Sequence, residues 1–451
     1  MRSSLPKVLH PVAGLPMVTH VLRAAAVVDP VATILVVSPE LSDLPQRLDA
    51  ADSVSAAVQE RPLGTGDAVR CALPSLEAVA PDLLLVFFAD HPRLDPDTVR
   101  ALRDGAVASG ALVTVLAARV DDAAGYGRVD RDAAGNPIRI VERRDDDPTR
   151  RGGPTEINSG MMALDAAWAR NVLPALQPSP VSGEVYLTEL VERSVAAGPL
   201  PTGAWPVAVV HADARVALGI NDRVELAAAD ADIRATIRER LMRSGVSMVG
   251  PETIFIDAGV EIGPDTTILP FSVLSGQTVV GADCRIGPYS VLDDATIGDG
   301  ARVTASFVSG SSMGTGSDAG PYARLRGGTR LGPGVHVGNF AELKNAELGE
   351  DVRCGHFSYL GDVEIGSGSN IGAGTITANY DGINKHRTTI GEDAFIGSDT
   401  ILRAPVTVGS GARTGAGSVV TKDVPPGATV VGVPARQIRS GGAAGSGREG
   451  S

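Results

Sequence analysis

The stretch Ile390-Gly-Glu-Asp-Ala-Phe-Ile396-Gly-Ser-Asp-Thr-Ile-Leu402-Arg-Ala-Pro-Val-Thr-Val408 places an aliphatic side chain at every sixth residue. Ile256, Ile262 and Ile268 keep the same spacing far upstream, and the unit recurs from about Ile254 to Val430. In many units Gly follows the aliphatic residue, as at Ile262-Gly263, Ile297-Gly298, Leu331-Gly332 and Ile371-Gly372. A period of six fits neither an amphipathic helix nor an alternating strand. It fits a parallel β-helix, in which each unit forms one side of a triangular coil and the aliphatic residues stack inside. Glycines suit the corners, where the backbone needs angles that a Cβ disfavours. Such a coil is a scaffold, so the chemistry belongs to residues that interrupt the hexads.

A chain of 451 residues holds at least two domains. It is 43% hydrophobic and 21% charged, a globular composition, while 54 glycines and 30 prolines suit a turn-dense coil rather than a helical protein. The net charge of −13 argues against a nucleic-acid partner, which needs a basic surface for its phosphates. Cys71, Cys284 and Cys354 match no metal or redox spacing and read as reduced thiols. Neither a secretory signal nor an apolar run long enough to span a bilayer is present, so the expected setting is cytoplasmic.

Residues 1–220 alternate strand and helix signals. Ile34–Val37, Leu83–Phe88 and Leu112–Leu116 are short apolar runs suited to buried strands, and Val18, Val21, Leu22 and Ala25 have helical spacing. The alternation predicts an α/β, Rossmann-like domain with a mainly parallel sheet and ligands beyond the carboxyl ends of its strands. Residues 221–248 read as a linker helix, with Val224, Ile233, Ile237 and Leu241 on one side. Residues 249–439 form the coil, and the Gly/Ser-rich residues 440–451 read as a disordered tail.

Both halves carry motifs of one family. They include Leu5-Pro-Lys-Val-Leu-His10, Gln59 with Leu63-Gly-Thr-Gly66, Gly125-Tyr-Gly-Arg128, Glu156-Ile-Asn-Ser-Gly160 and Gly219-Ile-Asn221. In the coil they include Gly320-Pro-Tyr-Ala-Arg-Leu-Arg326, Glu342-Leu-Lys344, Gly355-His356, Tyr359-Leu-Gly-Asp362 and Asn379-Tyr-Asp-Gly382. In order and spacing the chain resembles the bacterial bifunctional N-acetylglucosamine-1-phosphate uridyltransferase/glucosamine-1-phosphate acetyltransferase family over nearly its whole length. The resemblance implies a left-handed β-helix acetyltransferase, assembled as a homotrimer with sites shared between subunits.

For the coil it implies acetyl transfer from acetyl-CoA to glucosamine 1-phosphate, with His356 as general base. An ammonium is no nucleophile, and an imidazole titrates near neutral pH. Arg326, Lys344 and Lys385 would hold the sugar phosphate, Tyr359 and Asn370 the sugar. Ala373, Asn379, Tyr380, Ser398 and Ala416 would line the acetyl-CoA site, with Arg436 a candidate for its phosphates. For the first domain the resemblance implies transfer of UMP from UTP to N-acetylglucosamine 1-phosphate, giving UDP-N-acetylglucosamine and pyrophosphate. Asp90 and Asn221 would bind Mg²⁺, Lys7 a phosphate, and Gln59, Gly64 and Thr65 the uracil. Phe88 belongs to the same UDP-sugar site, and Gly127, Glu142 and Asn158 would hold sugar and ribose.

Two features depart from the family. Met1 aligns with the last residue of the family's opening Gly-x-Gly-Thr-Arg-Met loop, so the first strand, the loop glycines and the loop arginine are missing. A start site roughly twenty residues too late, the length of a strand plus loop, accounts for this. The expected consequences are unpaired ladder edges beside the missing strand, weak or absent uridyl transfer and competent acetyl transfer. The second departure is Phe88-Ala-Asp-His-Pro92, where the family has Tyr-Gly-Asp-Val-Pro, so His91 has no assigned counterpart. The competing functions are another sugar-1-phosphate nucleotidyltransferase with a regulatory coil, and a non-catalytic solenoid subunit.

Overall fold

The computed structural model describes residues 1–48, 50, 53–77, 79–123, 125–142 and 153–439. The tail expected at 440–451 lies outside them. The chain divides into two compact units, Met1–Asp232 and Ile233–Ser451.

In the first unit the strands are β1 (Ile34–Val37), β2 (Ser55–Val58), β3 (Leu83–Val86), β4 (Val113–Val120), β5 (Arg128–Arg131), β6 (Pro137–Val141), β7 (Thr155–Asp165) and β8 (Val207–His211). The helices that matter below are α1 (Met17–Ala25), α2 (Thr65–Glu77) and α3 (Pro96–Ser109). Helix α3 begins where the Asp95 carboxylate accepts from the Thr98 N–H at 2.8 Å, and it ends at Gly110 with φ +61°. β4 is the spine of the sheet, and Val113 to Ala118 are all buried. It pairs parallel with β8, in register Val113↔Val207, and antiparallel with β7. β7 also pairs antiparallel with β3, so β3, β4 and β8 run the same way.

β1 and β2 form a separate parallel pair. Among the described residues β1 pairs only with β2 and β3 only with β7, so each keeps one unpaired ladder edge, as the sequence led one to expect. Between them lies an apolar cavity of about 450 Å³, lined by Leu35, Val36, Leu83 and Leu85 from the strands and by Val18 and Val69 from α1 and α2.

The boundary between units falls inside the helix Arg223–Arg243. Ile237 and Leu241 are buried on it, but Val224 is 78% exposed, which corrects its grouping with them. The nine residues from Val224 to Ile233 make two and a half helical turns, so the two cannot share a side.

The second unit is the coil. Its 12-stranded sheet is one face, and the other two faces join in a 17-stranded sheet. Successive turns pair parallel and in register: Ile268↔Ile286↔Val303↔Ala319↔Val337↔Cys354 on one face, Leu402↔Val420 and Ile390↔Val408 on the others. Ile390, Ile396, Leu402 and Val408 are all buried, as the six-residue period requires. A Cβ on corner residue Gly263 would lie 2.7 Å from the Ala282 amide nitrogen of the next turn, which explains the glycine there. Buried hydroxyls satisfy corner carbonyls, as where Thr400 donates to the Gly397 carbonyl at 2.6 Å. At one corner Phe271, Tyr289, Tyr322 and Phe340 are exposed, and their rings stack in pairs at 5.0 and 5.4 Å.

Candidate active sites

In the first unit, three residues far apart in sequence meet at one point. The Lys7 ammonium donates to the Asp90 carboxylate at 2.6 Å and to the Asn221 side-chain carbonyl at 3.0 Å. Asp90 lies just beyond β3, in the turn after Phe88, and Ile220 binds its backbone carbonyl at 3.0 Å, which holds Asn221 beside it. Its second carboxylate oxygen accepts from His91 Nδ1 at 2.9 Å. Burial pushes the Asp90 carboxyl upward, but His91 and the Lys7 ammonium outweigh it and hold the pKa at about 2. Asp90 and Asn221 thus aim two hard oxygen donors at one cationic position, which fits a divalent ion of the Mg²⁺ type. Among the described residues no group of three His, Cys, Asp or Glu side chains gathers to hold a metal, so phosphate and water oxygens would complete such a shell.

A second group surrounds the start of α2. Gln59 donates to Asp67 at 2.7 Å and to the Gly64 carbonyl at 3.2 Å. Gly64 has φ +110°, and a Cβ there would lie 2.5 Å from the Val185 carbonyl oxygen. Thr65 accepts from the Leu187 N–H at 3.0 Å. Across the sheet, the Asn158 N–H binds the Gly127 carbonyl at 2.8 Å, and Glu142 accepts from the Thr188 hydroxyl at 2.8 Å. Phe88 fills the space that a side chain at Gly160 (φ +84°) would need. Asp67, which Arg70 also binds, and Thr188 escaped the sequence reading. Asp67 follows Leu63-Gly-Thr-Gly66 directly, so its position beside the motif was the available signal; Thr188 gave none.

In the coil, the register aligns Arg326 with Lys344 and Lys344 with Gly361. The turn Asp381–Asn384, in which Asp381 accepts from the N–H groups of Ile383 and Asn384 at 2.8 and 2.7 Å, brings Lys385 to the same place. The Lys385 amine and charge, then Arg326, hold the Lys344 pKa below the ordinary lysine value. Three cations converge at one end of this face, a concentration of positive charge suited to an anion, with Glu342 bound to Arg326 at 2.8 Å. Tyr359 lies on the neighbouring turn, where its hydroxyl and the Asn379 amide crowd Gly361. Asn379 is fixed by Asp362, which also binds Asn345 at 2.8 Å; Asp362 stood in a quoted motif without a role.

His356 is exposed at the opposite end of that face. It comes two residues after buried Cys354, and Ala373, Ser398 and Ala416 come two residues after Ile371, Ile396 and Thr414 of the following turns. The corner hydrogen bonds Gly374 N–H to Phe357 O at 2.7 Å and Gly417 N–H to Ser398 O at 2.8 Å carry the column upward. The imidazole therefore stands at the foot of a column of small residues, of which Ser398 and Ala416 are exposed. Asn370 lies apart on the neighbouring face, and Tyr380 is exposed with its hydroxyl on the Gly382 carbonyl at 2.6 Å. Arg436 is exposed in a final strand, Arg436–Arg439, that turns back antiparallel onto Thr429–Val431.

These two units define a transferase that joins a nucleotide-handling α/β domain to a hexapeptide acyltransferase coil. Residues 1–196 match the MobA-like NTP transferase domain model, and residues 259–294 and 387–422 match the bacterial transferase hexapeptide (six repeats) model. The chain is 42% identical to the bifunctional protein GlmU of Nocardia farcinica, over 98% of this chain and 89% of that protein. It is 43% identical to the GlmU of Stutzerimonas stutzeri, over 94% of this chain and 92% of that protein, and 43% identical to that of Mycolicibacterium paratuberculosis, over 96% and 88%. The chain belongs to the family of bifunctional GlmU proteins.

Proposed function

We propose that this chain carries out two successive steps in making UDP-N-acetylglucosamine, acetylation of glucosamine 1-phosphate in the coil and uridyl transfer in the first unit. The observation that carries the reading is the column His356–Ala373–Ser398–Ala416, which sets a proton acceptor at the foot of a line of small residues on a face whose far end holds three cations. Acetyl-CoA lies along that line. The sugar phosphate binds Arg326, Lys344 and Lys385, with Tyr359 and Asn370 on the sugar and Asn379, Tyr380 and Arg436 on the coenzyme. His356 takes a proton from the substrate ammonium as the amine nitrogen attacks the thioester carbonyl. The C–S bond then breaks and coenzyme A leaves as its thiol.

In the first unit the sugar phosphate oxygen attacks the α-phosphorus of UTP, and pyrophosphate leaves. Asp90 and Asn221 would hold Mg²⁺, which when bound would neutralise charge on the phosphates. Lys7 holds a phosphate oxygen; Gln59, Gly64 and Thr65 take the uracil; Phe88, Gly127, Glu142 and Asn158 position sugar and ribose. The exposed column of Phe271, Tyr289, Tyr322 and Phe340 supports self-association, which we assign as a homotrimer. The domain limits we adopt are residues 1–220, 221–248 and 249–439, and the setting is cytoplasmic.

One tube tests both activities: thiol release from acetyl-CoA and glucosamine 1-phosphate, then pyrophosphate release on adding UTP, Mg²⁺ and N-acetylglucosamine 1-phosphate. Thiol release is expected from the parent, and His356→Ala should lower it by ~100-fold or more with the coil still folded. Unchanged turnover in that variant removes His356 as the base. Pyrophosphate without thiol release favours the alternative of a nucleotidyltransferase with a regulatory coil, and neither signal from a folded protein favours the non-catalytic subunit.

A further inference from the structure

His91 is a buried histidine that neither transfer reaction uses, and its surroundings give it a specific geometry. It is 5% exposed. Its Nδ1 lies 2.9 Å from one Asp90 oxygen, while the other Asp90 oxygen is the one on Lys7. An ionised carboxylate has no proton to give, so Nδ1–H is the donor. Behind it the ring packs at 5.8 Å from Phe88. In front it meets Gly219, where a Cβ would stand 2.8 Å from the ring Cε1. Gly219 is itself pinned, its N–H bound by the Tyr126 hydroxyl at 2.8 Å, and two residues later the chain delivers Asn221. One imidazole therefore touches both segments that supply the paired oxygen donors.

We infer that His91 is a positioning residue, whose Nδ1–H locks the Asp90 carboxylate in one rotation so that a divalent cation meets the Asp90 and Asn221 oxygens at once. This rests on the assignment of Asp90 and Asn221 as the cation pair. A carboxylate free to turn would offer its two oxygens indifferently, and the pair would lose its fixed separation. Donors of this kind behind a ligand change metal affinity by ~10–100-fold. Glycine at 219 follows from the same packing, because any side chain there would push the ring off the carboxylate.

Two substitutions separate the hydrogen bond from the packing. His91→Asn keeps an N–H donor near the Nδ1 position and loses the ring; His91→Phe keeps the ring and loses the donor. The measurement is Mn²⁺ binding to the full chain by electron paramagnetic resonance, with UTP present, alongside the melting temperature and acetyl-transfer rate of each preparation. The expected result is a ~10-fold or greater loss of Mn²⁺ affinity in His91→Phe and near-parental affinity in His91→Asn, with acetyl transfer unchanged in both. Equal Mn²⁺ binding by the parent and His91→Phe overturns the positioning role and leaves the cation pair standing. Loss in His91→Asn but not in His91→Phe shows that the ring matters only as packing, and also overturns it. A parent that binds no Mn²⁺ while still folded overturns the cation pair itself, and the inference with it.

Discussion

At the level of single residues, charge decides most of what the two sites can hold. Lys344 has two cationic neighbours, so its ammonium is more valuable to an anion than to the unliganded coil. Lys344→Ala should raise the KM for glucosamine 1-phosphate by ~10-fold, the scale of one charge-assisted hydrogen bond, and leave the KM for acetyl-CoA near its parental value. Steady-state kinetics with each substrate varied in turn check this; an equal rise in both would place the lysine elsewhere. Residues of this kind were legible because they sit inside dense motifs, as His356 and Lys344 do. Their fasteners were less so. Asp362 grips Asn379 from 17 residues away, and Thr188 reaches Glu142 from 46, separations that only the folded register reveals. Val224 was misread for a different reason: it is apolar and helical, yet its angular position faces solvent.

Strands and turns behave differently in the two units. Coil strands are two or three residues long in most turns and hold together by stacking identical positions. Their period was plain in the sequence because every turn repeats it. Leu402 is fully buried between Thr377 and Val420 of adjacent turns. Leu402→Ala should therefore destabilise the coil by about 2–5 kcal/mol, read as a lowered denaturant midpoint of the coil signal. In the first unit, the antiparallel course of β7 between β3 and β4 was not foreseeable, since an apolar run does not state its direction. Three strands are tied at the edge of that sheet by Glu156 on β7. It accepts from Arg131 on β5 at 2.8 Å through both oxygens and from His211 on β8 at 2.8 Å. Burial raises the Glu156 pKa, but these partners outweigh it and hold it below the ordinary glutamate value. A carboxyl lowered in the folded state stabilises above the unfolded value and loses that contribution as pH falls through the folded value. The parent's melting temperature should thus fall from about pH 5 downward, and Glu156→Gln should flatten that limb while melting lower at pH 7. An acid limb of unchanged slope in the variant would assign the loss to other carboxylates.

The whole molecule joins two bodies built on opposite principles, one repetitive and one not. The exposed aromatic column on the coil predicts association, and light scattering should give a mass of three chains of 46.2 kDa each. Replacing Tyr322 and Phe340 together by Asp should return that mass to one chain, and acetyl transfer should fall with it where sites are shared; full activity in a monomer would show that each coil suffices alone. The cavity between β1 and β3 has a consequence of another kind. It is partly open to solvent, and apolar surface that water can reach draws nonpolar solutes out of solution. A fluorescent dye that brightens in apolar surroundings should therefore light up the first unit while it is still folded, a signal that in most domains reports unfolding.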